Sequence, residues 1–387
     1  MRRNTYQQVI SALREGVHSK RAIQDHTGLS WGSCSPVINH LLAQGMIIAG
    51  DMGSDHTGSK GRKTRYFNFS SKHFLLMGMD IEQSAINCCV ATLGNEPLGY
   101  HREIFDQPVD GLNLRANILQ AYQHCCEHLE IESNRIDSIS LSLSGAIDEA
   151  QKIWLYSPRI EGIDTYDFSD LEGIKGFPDK LYIQHDIHAQ ANSIIPNTDL
   201  NGRDYVFVHV GEGIGMSANM GGIIYGSRGF AGEIGHIPYP YITKEISCSC
   251  GNKNCLETVL NSTRILKFVN QQADMSVDTI RDMDDQQILQ DTVHQWILPP
   301  LVYMATIVSN IFDPQQIIIG GSVLEPFYNY IITPFEEQLR EQAWLNGPSE
   351  ICWYRTEDMD GAYGAILHSG TRIVEGIIDR IDLDHYQ

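Results

Sequence analysis

In HIPYPYITKEISCSCGNKNCLE, residues 236–257, a histidine stands twelve positions ahead of three thiols, Cys248, Cys250 and Cys255, that fall within eight positions of one another. One imidazole and three thiolates make a complete tetrahedral donor set for Zn2+ with no position left for water, so the chemistry predicted is structural. The C-x-C pair and the C-G-N-K-N-C turn supply the bend that wraps thiolates around one ion. His236 pins the far end of the loop. The chain has nine cysteines, an odd number that does not suit a disulfide framework, and the other six stand singly or in adjacent pairs. We therefore read His236, Cys248, Cys250 and Cys255 as metal ligands in preference to buried, unligated thiols.

A chain of 387 residues exceeds one ordinary core and predicts two or three domains. No apolar run approaches the roughly 18 residues that a spanning helix needs, and MRRNTYQQVISALREG has amphipathic spacing without a signal-peptide core. The location expected is the cytoplasm, without membrane insertion. Charge divides the chain: residues 1–70 carry nine Lys/Arg against four Asp/Glu, a net of +5, while the remainder carries −25 of the total −20. An acidic body repels phosphates. Contact with duplex DNA is therefore assigned to the first 70 residues.

That segment reads as three helices and a hairpin. Val9, Ile10 and Leu13 form one apolar stripe, Ser19 is placed to cap KRAIQDHTG, and Gly28 supplies the turn before LSWGSCSPVINHLLAQG. In the third helix Val37, Leu41 and Leu42 face inward, and residues 30–35 point outward at its N-terminal end. MIIAG and KTRYFNF follow as short strands around a basic tip. This winged helix-turn-helix pattern places Ser30, Trp31, Ser33 and Ser35 toward the major groove and Lys60, Arg62, Lys63 and Arg65 toward the backbone or minor groove. Pro36 lacks an N–H and favours helix starts, so the third helix is expected to begin late or bend there. A small helical cap with a solvated basic loop is the alternative reading.

From residue 74 the apolar runs FLLMGMDI, INCCVATL, SISLSLSG, LYIQHDI, YVFVHVG and QQIIIGGSV alternate with helical stretches, which predicts α/β lobes. Glycine-rich turns follow two of these runs, GEGIGMSANMGG and GGSV. Such turns cradle phosphate in some proteins and merely connect strands in others.

GEIGH at 232–236 followed by CSCGNKNCLE at 248–257 resembles the signature of the ROK family (repressors, open reading frames and sugar kinases), and the upstream helix-turn-helix makes the chain similar to its transcriptional repressors. The resemblance spans the whole chain. It implies an α/β fold of two actin-like (RNase H-like) ATPase lobes with a sugar cleft between them, preceded by the winged helix-turn-helix domain. The domains implied are 1–70 for DNA binding, 71–185 plus 371–387 for the first lobe, and 186–370 for the second lobe with its zinc loop. Homodimers or homotetramers are expected. LYIQHDIHAQA is similar to the family segment that usually reads E-N-D-A-N-A-A, so Asp186 would stand where the kinases have their catalytic base and His185 where asparagine usually contacts sugar. Glu233, His236 and Glu257 match the family's sugar contacts. Carboxylates accept from sugar hydroxyls in fixed directions, which suits that role. SPRIEG has Arg159 where sugar-binding members often have asparagine.

The kinases of the family carry D-x-G-x-T after the first strand and G-T-G in a second phosphate loop. Here the segments read DIEQSA at 80–85 and GEG at 211–213. Glu82 and Glu212 bring carboxylates where phosphoryl transfer needs positive charge and donors. The expectation is a zinc-containing, sugar-responsive DNA-binding repressor of carbohydrate uptake or metabolism with no catalytic residues and no kinase activity. Its partners are an operator duplex and a sugar or sugar phosphate. The alternatives are a bifunctional sugar kinase with a DNA-binding arm, or a repressor controlled by a sugar-transporter protein.

Overall fold

Serine caps define where the second and third helices begin. The computed structural model describes residues 2–16, 18–51, 65–70, 74–194, 203–223, 226, 229–273, 285–342 and 349–383. Helices α1 (Arg2–Arg14), α2 (Lys20–Thr27) and α3 (Trp31–Ala43) come first. The Ser19 hydroxyl accepts from the Ala22 N–H, that of Ser30 accepts from the Ser33 N–H, and Gly28 ends α2 in the left-handed conformation at φ 67°. Each serine cap contributes about 1 kcal/mol. Val9, Ile10, Leu13, Ile23, Val37, Ile38 and Leu41 bury together with Phe67 and Phe69. Those phenylalanines lie on β2 (Arg65–Phe69), which pairs antiparallel with β1 (Ile47–Asp51). Lys60, Arg62 and Lys63 lie outside the described residues. α3 starts at Trp31 with Pro36 inside it, so the late start expected from the proline does not occur. The Ser30 cap sets the first turn, and the N–H missing at Pro36 costs one internal hydrogen bond.

Two compact units partition the chain, one formed by Met1–Pro196 with Met359–Gln387 and the other by Asn197–Asp358. In the first, a sheet of order β10-β6-β3-β4-β5 is built from β3 (Leu75–Ile81), β4 (Ala85–Thr92), β5 (Pro97–Ile104), β6 (Ile136–Leu143) and β10 (Leu181–His185). β3, β6 and β10 are parallel; β4 and β5 run antiparallel, leaving β5 at the edge. Helix α4 (Leu114–His128) joins β5 to β6, and a small sheet of β7 (Ala146–Asp148), β8 (Ile153–Tyr156) and β9 (Asp164–Asp167) intervenes before β10. α5 (Asp186–Ile194) follows β10 directly.

The second unit carries β11 (Tyr205–Val210), β12 (Ile214–Asn219), α6 (Ser262–Ala273), α7 (Gln286–Thr292), α8 (Leu298–Phe312), β13 (Gln316–Gly320), α9 (Tyr328–Gln342) and β14 (Glu350–Tyr354), with sheet order β12-β11-β13-β14. A π-helical turn, Val293–Ile297, fuses α7 and α8. The fused helix, Gln286–Phe312, is long and apolar enough to cross a membrane, which corrects the expectation that no segment approaches that length. Its apolar side chains serve a core: Val293, Ile297, Leu301, Met304 and Val308 are buried with Val206, Val208, Ile317 and Ile319 of the sheet.

The last helix, α10 (Asp360–Leu383), returns to the first unit. Leu76, Cys89 and Ala91 of the sheet share a core with Ala362 and Ile366 of α10, whereas Met77, Met79 and Cys88 share another with Ala121 and Cys125 of α4. Alternation along the strands thus gives each face its helix. α10 approaches very closely: a Cβ on Gly78 would stand 1.8 Å from the Ala362 carbonyl oxygen, and one on Gly364 would stand 1.7 Å from that of Ala189. These contacts move the boundaries. α5 and the whole of α10 belong to the first unit, so the units break near 196 and 359, not at the expected 185 and 371.

Candidate functional site

The thiol loop is shaped by its backbone. Tyr239 N–H donates to the Asn254 carbonyl at 2.8 Å, Leu256 N–H to that of Ile237 at 2.9 Å, and Cys248 N–H to that of Asn252 at 2.9 Å. Gly251 (φ 88°) and Asn254 (φ 59°) take the left-handed turns between the last two cysteines. As a result the ligand atoms of His236, Cys248, Cys250 and Cys255 all lie within 4.8 Å of one another. Cys250 Sγ is 3.6 Å from Cys255 Sγ, and Cys248 Sγ is 3.5 Å from His236 Nδ1. Sulfurs bonded at about 2.3 Å to one tetrahedral ion stand about 3.8 Å apart, so the donor set fits a bound metal.

Two carboxylates border these ligands. Glu233 Oε2 lies 3.7 Å from His236 Nε2, on the side of the ring away from the thiols. Glu257 Oε1 lies 3.1 Å from Cys248 Sγ and 3.5 Å from His236 Nδ1. The structure therefore brings together His236, Glu233, Glu257 and the three cysteines, all in the second unit.

His185 and Asp186 lie in the first unit, at the junction of β10 with α5. His185 Nδ1 is 3.1 Å from Asp186 Oδ1, which also accepts from the Ile187 N–H at 2.8 Å. Asp186 Oδ2 lies 3.7 Å from Arg159 Nη1. Asp80, at the end of β3, accepts from the Ser142 hydroxyl at 2.5 Å. Burial pushes its carboxyl up to about 7 against that hydrogen bond, and the charges of Asp186 and Glu82 act in the same direction as burial. Asp80 entered the sequence reading only as the first residue of DIEQSA, without a role of its own, and Ser142 was not singled out.

Glu82 of DIEQSA and Glu212 of GEG are each held by neighbours. Glu82 accepts from Asn87 Nδ2 at 2.8 Å and from Arg102 Nη2 at 2.9 Å. Glu212, in the other unit, accepts from the Ser262 hydroxyl at 2.7 Å.

On the N-terminal domain, Ser33 is exposed on α3 and Ser30 is exposed at its cap, their hydroxyls 3.1 Å apart. Ser35 is half-buried. Trp31 is also half-buried, with the Lys20 ammonium 4.2 Å from its ring centroid. Pro36 and Asn39 continue the exposed face, and Asn39 is a polar candidate that reading residues 30–35 alone leaves out. Arg65 is exposed at the start of β2.

The family model of the ROK family matches residues 76–369. The chain is 23% identical over 323 residues to the xylose repressor of Bacillus subtilis (strain 168), covering 81% of this chain and 80% of that protein. It is 25% identical over 385 residues to the DNA-binding transcriptional dual regulator NagC of Escherichia coli (strain K12), covering 94% of this chain and 91% of that one. The crystal structure of a ROK family transcriptional regulator, a homolog of the E. coli Mlc protein, superposes with a TM-score of 0.77 at 19% identity over 97% of this chain and 98% of that one. Sugar kinases are also among the structural neighbours.

Proposed function

The chain belongs to the ROK family, and from that premise we propose that it is a sugar-responsive DNA-binding transcriptional repressor of carbohydrate uptake or metabolism. The observation that carries this reading is the capped helix-turn-helix with its hairpin, joined in one compact unit to the family's α/β fold. The relatives matched over most of their length are transcriptional regulators.

Zn2+ is the ion proposed for His236, Cys248, Cys250 and Cys255. It would supply loop cohesion, since a closed N/S set leaves no position for substrate activation. The loop would also hold Glu233 and Glu257 in fixed orientations as acceptors for sugar hydroxyls. In the first unit, taken by itself, His185 and Asp186 are proposed as sugar contacts. Arg159 stands beside Asp186 where sugar-binding members often have asparagine, so sugars and sugar phosphates are both tried.

We assign no catalytic activity. Glu82 and Glu212 each place a carboxylate in a segment where the kinases bind phosphate, and both are retained by hydrogen bonds. The location proposed is the cytoplasm and the assembly a homodimer or homotetramer.

The test selects binding sites from a random duplex library with the full-length protein, then follows binding by fluorescence anisotropy against sugars and sugar phosphates. The expected result is one preferred operator whose affinity falls with one ligand class. A protein that selects no sequence is not a site-specific repressor. An operator complex that responds only to added transporter protein would replace sugar with a protein effector.

A further inference from the structure

A second cluster of metal-ligating side chains lies in the first unit, remote in sequence from the zinc loop. β5 is an edge strand, and residues two apart on it share a face, so His101 and Glu103 project together. α4 packs beside that face, and the four-residue spacing of Gln120, His124 and His128 sets them in one row along the helix. Glu103 Oε2 is 2.9 Å from His101 Nε2 and 2.9 Å from His124 Nδ1. Glu103 Oε1 accepts from Gln120 Nε2 at 2.8 Å. The ligand atoms of His101, Glu103 and His124 all lie within 4.8 Å of one another, and the His128 ring centroid stands 5.4 Å from that of His101.

We propose that His101, Glu103 and His124 form a second metal site, which takes a borderline divalent cation of the Zn2+ class and clamps the edge strand β5 to α4. Two imidazole nitrogens aimed at one carboxylate oxygen have their lone pairs converging once the ring protons are displaced. Imidazole with carboxylate suits Zn2+, Ni2+ and Cu2+ better than Mg2+ or Ca2+. Gln120 fixes the other carboxylate oxygen and so orients Glu103 toward the two rings, as outer partners of metal ligands do. The neighbouring cation does not compete, because Arg102 is engaged with Asn87 and Glu82 on the opposite face of the strand. Glu103 has only 11% of its side chain exposed whereas His124 has 47%, so one side of the cluster opens to solvent for entry of the ion and for a bound water. Three protein ligands with an open position distinguish this site from the closed thiol set.

The experiment uses the full-length chain without a histidine tag, stripped with chelator and titrated with Zn2+ against a chelating indicator, and in parallel with Co2+ followed by visible absorption. Two equivalents are expected, of which only the thiol site gives a sulfur-to-cobalt charge-transfer band. His124→Ala, at a half-exposed position, should lose the second equivalent while leaving that band unchanged, which also reports that the chain is folded. Gln120→Leu should weaken the second equivalent by about tenfold or more. A wild-type protein that binds one equivalent overturns the proposal and leaves a hydrogen-bonded His–Glu–His cluster. So does a second equivalent that His124→Ala and His101→Ala hold as tightly as wild type.

Discussion

Arg14 of α1 donates from Nη1 to the Thr371 hydroxyl of α10 at 2.9 Å, across 357 residues of sequence. The same guanidinium donates to the carbonyls of Leu93 and Leu367 and to Asn95 Oδ1, each at 3.1 Å, so one side chain ties the DNA-binding domain to the lobe beneath it. α10 in turn lies along α5, whose first residue is Asp186. With Asp186 as the ligand contact proposed above, α5 and α10 would give ligand binding a packed route to α1. Arg14→Ala should destabilise the protein by about 2 kcal/mol, because it strips several acceptors of a charged donor. It should also reduce the ligand response of operator binding more than operator affinity itself. Calorimetry and anisotropy check the two parts; a variant with wild-type melting and wild-type response refutes the route.

Gly370 tests the same junction without removing a charge. A Cβ there would stand 2.4 Å from Arg14 Nη2, so Gly370→Ala should displace the guanidinium. Overpacking of this kind costs about 1–3 kcal/mol. The ligand response should weaken in the same direction as for Arg14→Ala.

Cys255→Ser should lower the zinc content at the thiol loop and lower the melting temperature of the second unit, because the energy of metal binding is coupled to folding. Glu257→Gln keeps all four ligands and should retain that ion while losing the ligand response. Metal analysis beside the anisotropy assay separates the two variants. Loss of zinc in both would assign Glu257 to the metal and not to the sugar.

His188 should contribute to the acid sensitivity of the fold. It is 2% exposed, and burial, followed by the charge of His185, lowers its imidazole from 6.5 to about 3, with Asp186 opposing and His368 reinforcing the shift. Below 6.5 the unfolded chain takes up the proton before the folded one does. The contribution to stability is thus complete above 6.5 and falls as pH drops toward the folded value, by up to about 1.4 kcal/mol per pH unit. His188→Gln should flatten the fall in urea midpoint between pH 7 and pH 5 relative to wild type. Parallel curves would show that other groups carry the acid sensitivity.

Removing Arg65 should weaken binding to every duplex and lower the slope of log affinity against log salt by about 1, since each phosphate contact releases counterions. Ser33→Ala should instead alter preference among duplexes. An unchanged salt slope for Arg65→Ala would take the described part of the hairpin out of the interface.

Local patterns in the chain were enough to reveal its local devices. Ser19 and Gly28 marked the ends of the second helix because capping acts over three or four residues, and the H…C-x-C…C spacing marked the metal loop because its ligands converge within one short excursion of the backbone. The alternation of apolar runs identified the α/β class for the same reason. Tertiary structure decided what depends on distant segments. Pro36 proved compatible with a helix begun at Trp31, and the unit boundaries followed Gly78 and Gly364, whose missing side chains admit α10 against β3 and α5. Asp80 came near Asp186 only because the parallel strands β3, β6 and β10 bring their ends together. Likewise His101 and His124, 23 positions apart, meet on Glu103 only once α4 packs on the edge strand. Such convergence is set by packing of whole elements, which no short window of sequence encodes.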